Sequence, residues 1–137
     1  MRPLILAALC AIFPMTASAQ AFRAESRLIV VPLNAKDFEV IEDRGEGPRG
    51  IWCAAADFAR SRLGAGGGDR LYIKSGRGPS ISAAGRKGVV FTLDPARLGV
   101  EPSRGYSVSL RKVGYNLPVG HAYSFCTDYW EEFFLVR

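Results

Sequence analysis

The residues best suited to bind a ligand lie in a glycine-rich stretch between positions 74 and 87. It holds four basic side chains and three glycines, and its candidate ligand contacts are Lys74, Arg77, Ser80, Arg86 and Lys87. Guanidinium groups and exposed backbone N–H groups both suit carboxylate or phosphate oxygens. The stretch therefore predicts a contact for an anionic partner, although a long hairpin loop made soluble by its charges explains the same composition.

Hydrolytic chemistry has weaker support in the sequence. His121 is the sole histidine, and no Gly-x-Ser-x-Gly motif accompanies it, so a Ser-His-Asp arrangement is not indicated. A pair of acids beside aromatic residues could act on a glycosidic bond, and Asp128, Glu131 and Glu132 form the nearest such cluster. A solvated strand edge explains these acids more simply. The sequence therefore assigns no catalytic residue.

Two cysteines, Cys53 and Cys126, lie beyond the leader sequence described below. A zinc site is not indicated, because there is no Cys-x-x-Cys and one histidine supplies too few ligands. Cys53 is expected in the first turn of a helix, where the helix dipole would stabilise a thiolate and favour a redox role. A structural disulfide between Cys53 and Cys126 explains the pair more simply in an oxidising compartment. No metal and no cofactor are expected.

Residues 1–19 have the layout of a cleaved secretory signal peptide. Arg2 precedes an apolar run from Leu4 to Phe13, and small residues occupy positions 17–19. The run is well short of the ~20 residues that a membrane span needs, so no transmembrane span is predicted. We expect a periplasmic or secreted chain whose residues 20–137 form one domain.

The formal net charge of the full chain is +5. This charge favours weak attraction to acidic envelope polymers or lipid surfaces, but it is not concentrated enough to indicate binding of nucleic acid. The expected partners are an anionic envelope polymer or another exported protein.

A helix over residues 50–63 is the clearest element that could position these groups. Its apolar residues recur at helical spacing and would form one stripe against a sheet, namely Trp52, Ala55, Ala56, Ala59 and Leu63. Apolar runs or alternations predict strands near 28–31, 38–42, 69–75, 89–93, 106–111 and 130–136. The run at 89–93 is apolar almost throughout and is expected in the centre of the sheet. Residues 20–26 are expected to be a frayed polar lead.

The segment that carries Cys126 has two interpretations. As a strand, it places Tyr123 and Phe125 opposite Cys126. As a short helix over 117–127, it has Asn116 as a cap and Pro118 in the first turn. These start signals favour the helix, and Gly120 weakens it.

The run Trp52-Cys53-Ala54-Ala55-Ala56-Asp57-Phe58-Ala59-Arg60, then Gly78-Pro79-Ser80 with Arg86 and a late Cys126, resembles a group of small exported bacterial proteins of unassigned function. The resemblance implies a shared disulfide-bonded α+β domain and supplies no active site.

We expect an α+β domain with a mainly antiparallel sheet of five or six strands and the 50–63 helix on one face. The expected function is a non-enzymatic binding or interaction module in which residues 77–87 contact an anionic partner. A small cell-envelope hydrolase, or an inhibitor of one, is the alternative.

Overall fold

The structure, a computed structural model, describes residues 20–130 together with positions 3, 11 and 12. Within these residues the chain forms an open antiparallel sheet of six strands in the order β1-β2-β3-β5-β4-β6. The strands are β1 (Phe22–Arg23), β2 (Ile29–Pro32), β3 (Asp37–Ile41), β4 (Arg70–Pro79), β5 (Lys87–Thr92) and β6 (Asn116–Pro118). The α-helices are α1 (Pro48–Leu63) and α2 (Val119–Ser124). The expected α+β fold is confirmed.

Alternation along β3 divides the sheet into two unlike faces. Phe38 and Val40 lie on the face that α1 covers, where Phe38 packs against Phe58 of α1. Because successive side chains of a strand point to opposite faces, Asp37 and Glu39 lie on the other side. Both acids are nevertheless buried. The second face therefore has a polar cover of its own.

Helix α1 is buried more completely than one apolar stripe requires. It begins two residues earlier than expected, with Pro48 in its first turn, and ends at Gly64, which adopts the left-handed conformation. Every residue from Gly50 to Ala59 is buried. The sheet covers one side of the helix and α2 packs on another, so alanine and glycine occupy positions that a surface helix would leave polar.

Cys53 and Cys126 form the expected disulfide, which ties α1 to the segment after α2. Both cysteines are fully buried. Cys53 lies in the second turn of α1, not in the first as expected, because the helix begins at Pro48. A buried disulfide away from the helix end supports the structural role that the cysteine pair predicted.

The segment that leads to Cys126 contains a short helix, as its start signals favoured, but those signals act differently, and Cys126 itself lies in the turn after α2. Asn116 lies on β6 and not at a helix cap, and Pro118 is the residue that precedes the first turn of α2. The chain turns at residues 125 and 126, and residues 127–130 are again helical. Trp130 is thus helical, and the rest of the strand expected over 130–136 lies outside the described residues.

The strand expected over 106–111 is wrong. The backbone N–H of Ser109 bonds to the Ser107 hydroxyl, and that of Arg111 to the Ser109 hydroxyl, at 3.1 and 3.4 Å. Such local bonds compete with a strand ladder. The segment is held instead at single points, where Val108 O accepts from the Trp52 indole and Leu110 O from the Arg77 backbone.

The frayed lead expected over residues 20–26 is also wrong. Phe22 and Arg23 form β1 at one edge of the sheet, and both Ala24 and Ser26 are buried. The backbone N–H of Glu25 donates to the Asp57 carboxylate of α1 at 2.9 Å, which fixes the lead against the helix.

None of the described helices is long and apolar enough to span a membrane.

Candidate functional site

The candidate site is built on the second face of the sheet, around the loop of residues 80–86 that joins β4 to β5. Strand β4 continues to Pro79, so the loop is shorter than the sequence suggested, and Arg77 and Lys87 lie on the strands that flank it. The loop closes on itself, since the Ser80 N–H donates to Arg86 O at 2.8 Å.

The buried carboxylate of Glu39 holds the 80–86 loop against the sheet. It accepts hydrogen bonds from the Ser80 hydroxyl at 2.8 Å and from the backbone N–H groups of Ile81 and Ser82 at 2.9 and 3.0 Å. Glu39 is 1% exposed. Charge-assisted bonds of this kind are about twice as strong as neutral ones, so the loop is fastened at three consecutive residues.

The same contacts keep Glu39 ionised. Burial by itself raises the pKa of a carboxyl, but the hydrogen bonds from Ile81, Ser80 and Ser82 outweigh it and hold the pKa of Glu39 below its ordinary value. The loop therefore closes on a negative charge that belongs to the protein itself.

Gly88 supplies the space that the Glu39 side chain occupies. It lies on β5 beside β3, and a Cβ atom built there would lie 2.7 Å from Glu39 Oε2. No real side chain fits at that distance unless the carboxylate moves. Glycine at this position is thus part of how the site is built.

Asp37 is a second buried acid on the same face. The Arg97 guanidinium binds it through two N–H groups at 2.9 and 3.0 Å, the Asn34 amide donates at 2.9 Å, and the Lys74 ammonium forms a short ion pair with it. Burial raises the pKa of Asp37, whereas these hydrogen bonds lower it far below its ordinary value. Lys74 thus lies against a carboxylate of its own chain.

Arg77 and Arg86 also have partners within the chain. Arg77 donates to the Glu42 carboxylate through two nitrogens at 2.9 and 3.0 Å. Arg86 donates to the Glu42 carbonyl at 2.9 Å and lies 3.4 Å from the Asp43 carboxylate. The exposed Lys87 makes no ion pair with any residue between 20 and 130.

The structure thus brings the five predicted contacts to one region, namely Lys74, Arg77, Ser80, Arg86 and Lys87. The backbone N–H groups that were expected to bind an external anion, however, already bind Glu39. An external anion would have to displace a carboxylate from each of these groups, except at Lys87. Anion binding here stays a prediction. The sequence alternation of β3 could have pointed to Glu39 and Asp37 as a pair on one face, but nothing in it indicated that both are buried.

Ile81 is the feature of this loop that sequence reasoning missed. Its backbone N–H is held by Glu39, yet its side chain points outward and is 70% exposed. A fixed backbone therefore presents a large apolar side chain to solvent.

The residues considered for hydrolysis do not come together. The Tyr106 hydroxyl lies 3.0 Å from His121 Nε2, whereas Asp128 pairs with Arg49 at 3.2 Å. Glu131 and Glu132 lie outside the described residues. Within the described part of the chain, no group of three metal-ligating side chains is close enough to hold a metal ion.

Comparisons with protein-family models, with curated proteins and with solved structures found no match. What the site does must therefore be inferred from its own geometry.

Proposed function

We propose that the protein is an exported, non-enzymatic binding module that docks on a partner protein through the tip of the 80–86 loop. One observation carries this proposal: the exposed Ile81 side chain is mounted on a backbone fixed by the buried Glu39. The loop is ordered before any partner arrives.

Fixing the loop in advance favours affinity. Association has to overcome the entropy lost when loops and side chains become ordered, and a loop already held by three hydrogen bonds has less entropy to lose. Preorganised loops of this kind are typical of protein inhibitors, whose backbones move little on binding. An inhibitor of an envelope enzyme is thus one form that the module could take.

The pairing of charges around the loop supports a protein partner over an anionic polymer. A polymer would be attracted by free cations, but Lys74, Arg77 and Arg86 each lie beside an acid of the chain. An apolar side chain surrounded by polar, partnered groups resembles the centre and rim of a protein interface.

A shallow pocket extends the proposed surface. It has a volume of about 240 Å³ and is lined by the apolar side chains of Pro48, Ile51 and Leu110 beside the Arg77–Glu42 pair. Arg86, at the end of the loop, donates to the Glu42 carbonyl, so the loop and the pocket share a border. A partner that receives Ile81 could place a side chain of its own in this pocket.

The docking surface is tested by capture from an envelope extract of the source cells with immobilised residues 20–137. The Ile81→Asp substitution places a charge at the loop tip and should abolish retention of the partner. Val100→Asp is the matched control, because Val100 is an exposed apolar residue in a different loop, with 52% exposure. A protein retained by the wild type and by Val100→Asp, and lost with Ile81→Asp, supports the proposal.

Two results would overturn it. Equal retention of the partner by Ile81→Asp and Val100→Asp would exclude Ile81 as the anchor. Retention of an acidic polymer, with no protein retained, would favour that polymer as the partner. Replacing Lys87 with Ala should then weaken polymer binding, since that lysine is the cation of the region without an ion-pair partner among residues 20–130.

Export is tested separately. The full chain expressed in a Gram-negative host should yield a periplasmic protein whose first residue is Gln20, as read by mass spectrometry of the intact protein. Retention of the intact leader in the cytoplasm would contradict the expected signal peptide.

A further inference from the structure

A second pocket lies near the edge of the sheet, where β4 begins, β6 ends and α2 starts. Its volume is about 270 Å³, and its polar lining comes from Arg70, Arg104, Tyr106, Asn116 and His121. Among residues 20–130, no acid lines it. The pocket is thus lined by two arginines and by the hydrogen-bonding side chains of Tyr106, Asn116 and His121.

Asn116 is the buried residue of the lining that connects separate parts of the pocket. It is 7% exposed, and its amide N–H groups donate to Ser103 O and Gly114 O, both at 2.9 Å. Its amide oxygen accepts a hydrogen bond from the Arg70 guanidinium at 2.8 Å. One buried side chain therefore fixes both the strand-borne arginine and the segment that leads to Arg104, so the site is built before a ligand binds.

The positive charges of this pocket are not neutralised by the described part of the chain. Arg70 bonds to an uncharged amide, and Arg104 makes no ion pair with any residue between 20 and 130. Around the 80–86 loop, by contrast, arginines face carboxylates of the protein. Two guanidinium groups around one pocket, neither in an ion pair with residues 20–130, favour an anion from outside the chain.

Tyr106 and His121 complete the lining in a defined geometry. The Tyr106 hydroxyl lies 3.0 Å from His121 Nε2, and the His121 ring packs edge-on against Phe125. Tyr106 is 67% exposed, so burial does not hold it there. One proton lies between the two side chains, so the pair has a remaining N–H or O–H group that can donate a hydrogen bond to an anion.

We propose that this pocket binds the phosphate group of a ligand, with Arg70 and Arg104 as the charged contacts and the Tyr106–His121 pair as a further hydrogen-bond donor. The two arginines line the pocket from different segments, β4 and the loop before Tyr106. A tetrahedral phosphate presents oxygens in several directions, whereas a carboxylate presents two in one plane. Phosphate therefore fits the lining better.

In the experiment, residues 20–137 are titrated separately with inorganic phosphate, glycerol 3-phosphate and acetate. Binding is measured by the chemical shifts of the backbone amides in NMR spectra and by calorimetry. Phosphate and glycerol 3-phosphate should bind and should shift the amides around Arg104 and Asn116, and acetate should bind more weakly. Because one charge-assisted contact contributes ~1.5–3 kcal/mol, Arg70→Gln and Arg104→Gln should each weaken phosphate binding by about tenfold or more.

Arg23→Gln is the matched control. Arg23 lies on the strand at the opposite edge of the sheet, so its substitution should leave phosphate binding unchanged. Arg104→Gln keeps the test decisive if Arg70→Gln disturbs β6, because no described ion pair depends on Arg104. Unchanged phosphate binding in Arg104→Gln, or acetate binding as tight as phosphate, would overturn the proposal. The absence of phosphate binding at about 10 mM, a concentration that would nearly saturate a site with a Kd of about 1 mM, would also overturn it.

A further measurement distinguishes two sources of the phosphate group, a lipid headgroup and a soluble ligand. Sedimentation with phosphatidylglycerol vesicles, lost in Arg104→Gln, would identify a lipid headgroup, whereas binding of glycerol 3-phosphate alone would identify a soluble ligand. Ile81→Asp should bind phosphate normally, so failure of the docking surface and failure of this pocket give different results.

Discussion

At the scale of single residues, two buried acids define the second face of the sheet. Asp37 and Glu39 occupy alternate positions on β3, and each is held by donors from other parts of the chain. Removing such an acid leaves several donors unsatisfied at once, which makes both positions sensitive to conservative substitution.

Glu39→Gln keeps the shape of the side chain and removes its charge. We expect the free energy of unfolding to fall by about 2 kcal/mol, because hydrogen bonds to charged groups contribute ~1.5–3 kcal/mol. Hydrogen exchange at the amides of Ile81 and Ser82 should also accelerate. Glu42→Gln is the control, with a smaller expected loss, since the Glu42 side chain is 22% exposed and its ion pair is screened by water. Unchanged exchange in Glu39→Gln would contradict the fastening of the loop.

The lowered pKa values of Asp37 and Glu39 predict the response of stability to acid. A carboxyl whose pKa is lower in the folded chain binds fewer protons there, so it stabilises the folded state above its ordinary pKa. That stabilisation is lost as the pH falls through the range from about 4 downward. The free energy of unfolding, measured with urea from about pH 7 to about pH 2, should therefore fall steeply at the acid end, because this range spans the usual pKa values of carboxyl groups.

Asp37→Asn should flatten this acid response, because the amide does not titrate. Asp43→Asn is the control, because it makes the same chemical change at a half-exposed side chain. The same slope in wild type and Asp37→Asn would exclude Asp37 as a source of the pH dependence.

At the scale of elements, the Glu39 side chain of β3 can lie against β5 because position 88 is glycine. Gly88→Ala should lower the free energy of unfolding by ~1–3 kcal/mol, since its Cβ would have to displace the Glu39 carboxylate or bend the strand. Gly78→Ala is a matched control. Gly78 pairs with Gly88 in the register of β4 and β5, but a Cβ atom at position 78 would lie 3.7 Å from its nearest neighbour. Equal stabilities for the two variants, measured by urea unfolding, would show that the contact with Glu39 is not strained.

Helix α1 illustrates how neighbouring elements override a surface pattern. Its stripe predicted one buried side, but α2 and the turn after β1 pack against the helix as well, and every residue from Gly50 to Ala59 is buried. Asp57, on that second side, is retained because it accepts the Glu25 N–H and the Ser61 hydroxyl. A buried acid on a helix thus marks a point where another segment docks.

At the scale of the whole molecule, the Cys53–Cys126 disulfide closes a loop with a sequence separation of 73 residues. Chain-entropy arithmetic assigns about 4 kcal/mol to a loop of that length, so reduction should lower the urea midpoint substantially. The double variant Cys53→Ala with Cys126→Ala should unfold at the midpoint of the reduced protein. Free thiols at both cysteines in protein purified from the periplasm would contradict a structural disulfide.

Charge is also distributed unevenly over the whole molecule. Around the 80–86 loop, Lys74, Arg77 and Arg86 are each paired with an acid of the chain and only Lys87 has no ion pair among residues 20–130, whereas no described acid lines the pocket of Arg70 and Arg104. We accordingly propose different partners for the two regions, a protein surface for the first and a small anion for the second. Salt should weaken phosphate binding more than it weakens docking through Ile81, because only the first depends on exposed net charge.

The sequence by itself determined the α+β class, helix α1 to within two residues of its start, the core strands β2, β3 and β5, and the disulfide. These follow from local periodicity and from a simple count of cysteines, which do not depend on distant neighbours. The anion contact at residues 74–87 followed from composition alone. Composition could not show that Glu39, some 40 positions earlier, already binds those N–H groups.

Tertiary structure decided everything that required distant segments to meet. It buried Asp37 and Glu39, it replaced the expected strand at 106–111 with point contacts to Trp52 and Arg77, and it gathered Arg70, Arg104, Tyr106 and His121 around Asn116. The physical reason is that a hydrogen bond between remote residues leaves no periodic trace along the chain. Local patterns fix the elements, whereas the donors and acceptors that each element must satisfy are settled only by what packs against it.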